Sequence, residues 1–135
     1  MKKITLYITH IFILCLMIAC DATTDPSPTT LSELVKKWKV ENVVAGTTDI
    51  TAQYASYAIE FKHDNTYILT KADGSTETGS WSVSSDNKTI TITPTGGTTI
   101  SFTEATITAT KLIYNSTEVS AKTGTIIVTF TLIPV

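Results

Sequence analysis

At 135 residues the chain has room for one ordinary hydrophobic core and not for two. It carries ten lysines, no arginine and twelve carboxylates, and the portion from Cys20 onward, with eight of those lysines, has a net charge of −4. An acidic, arginine-free domain lacks the clustered cations that phosphate recognition needs, so nucleic acid is not an expected partner.

Residues 1–19 read as an export signal. Lys2 and Lys3 form a short positive segment, Ile11 to Ile18 an apolar one, and Ala19 a small residue before Cys20. The apolar span from Ile4 to Ala19 is interrupted by Thr9 and His10. It falls short of the roughly 20 apolar residues that a permanent spanning helix needs. The order Leu16-Met17-Ile18-Ala19-Cys20 resembles the bacterial lipobox, which implies cleavage before Cys20 and a lipid, including palmitate, on its sulfur. Two or three acyl chains hold a protein stably at a membrane, so the domain itself needs no membrane-binding face. With Cys15 removed and Cys20 alkylated, no thiol remains for a disulfide, a metal or catalysis. Residues 20–30, small, polar and proline-containing, read as a flexible tether.

Residues 31–135 read as one folded domain. Thr30 and Glu33 have capping-box spacing, and Leu31, Leu34 and Val35 share a helical face, which predicts a short helix over Leu31–Lys37. After Trp38 the period changes to two. Strands are expected at Trp38–Glu41, Tyr57–Lys62, Thr66–Thr70, Gly79–Val83, Thr89–Thr93, Thr99–Phe102, Thr106–Thr110, Leu112–Tyr114 and Thr125–Leu132. Turn signals separate them, among them His63-Asp64-Asn65, Asp73-Gly74 and Ser84 to Lys88. The one long connection is Ala45–Tyr54. About eight short strands joined by hairpins predict an all-β, up-and-down barrel, because closure removes the two exposed edges. A two-layer sandwich would need longer crossovers.

The segment Phe61-Lys62-His63-Asp64-Asn65-Thr66-Tyr67, followed by Asp73-Gly74, Gly79-Ser80-Trp81-Ser82-Val83 and Ile90-Thr91-Ile92, resembles the lipocalin-like domain of small bacterial lipoproteins. Asn65 stands where the family has glycine and Ser80 where it has threonine. Trp38 sits where such barrels place a first-strand tryptophan, without the usual preceding glycine, and Ile107, Leu112 and Tyr114 resemble the later strand pair. The resemblance spans roughly Leu31 to Val135. It implies a small barrel on a lipid anchor, at the cell envelope and on the outer membrane, and it carries no catalytic motif to transfer.

The residues themselves offer little chemistry. His63 and Asp64 are neighbours in a turn, and no nucleophile elbow accompanies them. One histidine and scattered carboxylates do not compose a metal site. Glu60, Glu77, Glu104 and Glu118 are the carboxylates near strands, and all four are expected at the solvated surface. Threonine ladders such as Thr89-x-Thr91-x-Thr93 lack the fixed repeat that an ice-binding surface requires. No enzyme activity, cofactor or metal is therefore expected.

Binding remains. Alternation directs Trp38, Tyr57, Ile59, Phe61, Tyr67, Leu69, Trp81, Val83, Ile90, Ile92, Ile100, Phe102, Val128 and Phe130 to one interior. Large aromatics suffice to fill so short a barrel, and a filled interior is the first expectation. If a cavity exists, it should open at one end, with Tyr57, Tyr67, Trp81 and Tyr114 as its ligand-binding residues. A small apolar or amphipathic ligand is then the expected partner of a monomeric domain. With a filled interior, the barrel would instead be a protein- or glycan-interaction module using the Ala45–Tyr54 connection as its contact surface.

Overall fold

The computed structural model describes residues 27–120 and 124–135. The expected signal segment, Cys20 and tether residues 20–26 lie outside the described residues. Helix α1 (Pro28–Leu34) leads into strands β1 (Lys37–Ala45) and β2 (Thr48–Asp49), then a 3-10 turn (Thr51–Tyr54). Strands β3 (Ala58–Phe61), β4 (Thr66–Thr70), β5 (Thr76–Val83), β6 (Ile90–Pro94), β7 (Ile100–Ile107), β8 (Leu112–Ser120) and β9 (Gly124–Pro134) follow. Each of β3 to β8 pairs antiparallel with its successor, and β1 pairs with both β3 and β9. Eight strands therefore close into a barrel, with β2 an extra strand beside β1. The seam runs from Trp38↔Pro134 to Ala45↔Val128. No helix among the described residues is long and apolar enough to cross a membrane.

Alternation explains the walls. Ile59 and Phe61 on β3, Tyr67 and Leu69 on β4, Trp81 on β5, and Ile90 and Ile92 on β6 are buried, whereas their even- or odd-numbered neighbours face out. Each such side chain contributes roughly 1.5–3 kcal/mol by leaving water. Three of the hairpins use one turn design. The amides of Asn65, Gly74 and Asn87 donate to the carbonyls of Lys62, Lys71 and Ser84 at 3.2, 2.9 and 2.9 Å. These three residues have φ of 62°, 84° and 58°, a left-handed conformation that asparagine and glycine tolerate. The aspartate before each one caps the turn. Asp64 accepts from the amide and hydroxyl of Thr66, Asp73 from those of Ser75, and Asp86 from the Lys88 amide and Ser84 hydroxyl. Asn65 thus meets the requirement that glycine meets elsewhere.

One glycine is fixed by contact. A Cβ on Gly79 would lie 2.1 Å from the Thr93 carbonyl oxygen, so only glycine lets β5 approach β6 here.

Three expectations need correction. The helix spans Pro28–Leu34 rather than Leu31–Lys37, which takes residues 28–30 out of the tether, and Lys37 already belongs to β1. Thr30 and Glu33 form no capping box. Ser27 precedes the helix without a side-chain cap, and Pro28 begins it with its φ already preset. Thr99–Phe102 and Thr106–Thr110 are not two strands. They merge into β7, interrupted by a bulge where Glu104 takes φ 52° and the β8 register shifts between Thr103 and Thr106. Thr108 then opens a turn, its hydroxyl donating to the Lys111 carbonyl at 2.9 Å. Finally, the Ala45–Tyr54 connection folds back onto β1. The Thr51 hydroxyl oxygen accepts from the Val43 amide at 2.9 Å and from Asn42 Nδ2 at 3.1 Å.

The two ends of the barrel differ. Helix α1 covers one end, where Leu34, Trp38, Phe61, Leu112 and Leu132 are fully or almost fully buried. Trp38 Nε1 donates to the Leu34 carbonyl at 2.9 Å, which ties helix to strand. The expectation of a filled interior holds only here. The other end is open.

Candidate ligand-binding site

A cavity of ≈ 400 Å³ occupies the open end, within the range of small-molecule sites. Its wall includes Leu69, Ile92, Ile100, Phe102 and Phe130, with Tyr54 and Tyr57 on one side and Lys71, Glu77, Ser116 and Glu118 around the rim. A continuous run of rings backs it. Phe102 stacks on Tyr114 at 4.3 Å, Tyr114 on Phe130 at 5.2 Å, and Tyr57 and Tyr54 each lie 5.1 Å from Phe130. Ladder pairing between β7 and β8 stops at Thr103↔Asn115, so Phe102 and Ser116 border the cavity without pairing to each other.

The polar groups bond mostly to one another. Tyr57 and Tyr114 share a hydroxyl–hydroxyl hydrogen bond of 2.8 Å beneath the cavity. Tyr54 donates to Glu118 Oε1 at 3.0 Å and Tyr67 to Glu77 Oε1 at 2.8 Å. Lys71 Nζ pairs with Glu77 Oε2 at 2.8 Å. Burial, reinforced by Glu118, pushes the Tyr54 hydroxyl up to about 12. Burial likewise raises Tyr57, Tyr67 and Tyr114, so all four remain protonated donors through the physiological range. At Glu77 burial works against the charge, but the Lys71 ammonium and Tyr67 hydroxyl outweigh it and hold the carboxyl below its usual value.

Of the four residues expected to bind ligand, the structure brings three to this end. Tyr57 lines the cavity, Tyr114 supports it through the shared hydroxyl bond, and Tyr67 is fully buried and reaches it through Glu77. Trp81 does not join them. It packs against Phe61 at 5.4 Å near the α1 end, and its Nε1 donates to the Lys62 carbonyl at 3.1 Å. It borders a separate hollow of ≈ 280 Å³ beneath Pro28, Leu31 and Val35. Alternation gives the direction of a side chain and not its height in the barrel.

The expectation that Glu77 and Glu118 lie at the solvated surface is overturned, because both stand on the cavity rim. The signal was present. Glu77 is in phase with Gly79 and Trp81, and Glu118 with Leu112 and Tyr114, so both point inward. Tyr54 had no such signal, since it enters from the folded-back connection.

Other features carry less. A groove of ≈ 490 Å³ beside Gly79 lies along the outer wall and is lined largely by outward-phased Thr66, Ile68, Thr78 and Ser80. His63 is exposed, and Asp64 is engaged by Thr66 rather than by the histidine. Among the described residues no group of three or more metal-ligating side chains converges.

A comparison with curated proteins finds no match. A family model described as a lipocalin-like domain matches residues 34–114, from the end of α1 through the first residues of β8. That match covers more than half of the chain, and the closed eight-strand antiparallel barrel is the architecture it describes. The chain belongs to the lipocalin-like domain family.

Proposed function

We propose that this protein is a non-catalytic, lipid-anchored binding module of the bacterial cell envelope, most simply at the outer membrane, which holds a small apolar or amphipathic molecule in the mouth of its barrel. The ≈ 400 Å³ cavity carries the reading, because it combines an apolar wall with a few convergent polar groups. It also favours a ligand over the alternative of a filled interaction barrel. Anchoring rests on the order Leu16 to Cys20, and a monomeric domain fits closure of the sheet edges.

Titration with the apolar dye N-phenyl-1-naphthylamine tests the cavity. One equivalent is expected to bind, and Ser116→Trp, which fills the mouth from β8, is expected to abolish binding while the thermal midpoint holds. Absence of binding, or binding indifferent to Ser116→Trp, would sink the reading. The anchor is tested separately: labelled palmitate should enter the protein and be lost from Cys20→Ala.

A further inference from the structure

The rim of the cavity is chemically one-sided. Among the described residues Asp73, Glu77 and Glu118 line it against a single cation, Lys71, whose ammonium is already paired with Glu77. Glu118 receives the Tyr54 hydroxyl and takes part in no ion pair among the described residues. Beside it stand the rings of Tyr54, Tyr57 and Phe130, mutually 5.1 to 6.0 Å apart. Ring faces carry the negative end of the aromatic quadrupole and attract cations within about 6 Å. Two of the phenolic protons at this end are also already engaged within the protein. Tyr54 and Tyr67 spend theirs on the rim carboxylates Glu118 and Glu77. An anionic head would meet carboxylates and electron-rich rings with few donors to satisfy it.

We propose that the occupant is a cationic amphiphile, an organic ammonium group on an apolar body. The head sits between Glu118 and the Tyr54–Tyr57–Phe130 rings, and the body lies along Leu69, Ile92 and Phe102. This assignment rests on the cavity being a binding site, and it adds the charge of the ligand.

Calorimetric titration of the purified protein with decyltrimethylammonium, decanol and decanoate, each below its aggregation limit, separates the two claims. Decyltrimethylammonium is expected to bind at least about tenfold more tightly than decanoate, with decanol between them. Glu118→Gln keeps an acceptor for Tyr54 and is expected to weaken the ammonium about tenfold and decanol far less. Decanoate binding as tightly as the ammonium, or a Glu118→Gln protein with undiminished ammonium affinity, overturns the cationic assignment and leaves the cavity reading intact. Failure of all three probes and of the naphthylamine dye overturns the cavity reading itself. If Glu118→Gln does not fold, the order of the three head groups in the unaltered protein decides.

Discussion

At the α1 end, the indole N–H groups of Trp38 and Trp81 donate to main-chain carbonyls, of Leu34 and Lys62, and apolar side chains fill the space between strands. At the mouth, four tyrosine hydroxyls bond to other side chains, and the space among them is left open. Main-chain partners, here at the end of α1 and just after β3, are held by the backbone and do not exchange. Side-chain partners can turn toward a guest. Aromatic rings therefore build a plug at one end, with tryptophans bonded to the main chain, and a receptive surface at the other, with tyrosines bonded to side chains.

The contrast can be broken most severely at the plug. Trp38→Ala removes a fully buried ring and the bond to α1, and should cost about 3–5 kcal/mol in denaturant unfolding. A loss under about 1 kcal/mol would show that the α1 end is not close-packed. Gly79→Ala strikes the wall between the ends. Its methyl group would collide with the Thr93 carbonyl, and a loss of about 1–3 kcal/mol is expected from displaced strands.

The mouth is sharpened by a double-mutant cycle. Tyr114→Phe strands the buried Tyr57 hydroxyl and should cost about 1–3 kcal/mol, whereas Tyr57→Phe combined with Tyr114→Phe should cost little more than either alone. Additive losses would mean that the hydroxyls do not share a bond. The smallest effect is acid sensitivity. Asp64, Asp73 and Asp86 are held below the usual carboxylate range by Thr66, Ser75 and Ser84 hydroxyls and adjacent amides. Their contribution is full above the unfolded-state value of 3.8 and is lost as pH falls through the lowered folded values. Asp73→Asn should flatten the decline of thermal midpoint below that value, and an unchanged decline would assign it elsewhere.

Much of the barrel was legible because strand alternation and turn chemistry are local. Tyr57-Ala58-Ile59-Glu60-Phe61 declares its inner face, and Asp73-Gly74 its turn. The bulge in β7 was not legible, since a glutamate at positive φ leaves no mark in the sequence and reads as a break between two strands. The helix start is not legible in the Thr30–Glu33 spacing, because Pro28, whose ring fixes φ, opens the first turn instead. Within the site, direction was readable and height was not. Trp81 and Tyr57 share an inward phase yet border different hollows, and the inward phase of Glu77 and Glu118 does not say that they stand on a rim.

The seam between β1 and β9 sets the order of assembly. Trp38 must find Pro134 across almost the whole domain, so the first strand formed waits for the last to arrive. A chain synthesised amino end first keeps the β9-facing edge of β1 bare until the last strand forms, open to pairing with any other extended segment. Contacts this distant slow folding, and premature self-association is the hazard such a closure creates. The exposed edge before closure, as distinct from stability once closed, is the hazard that this seam carries.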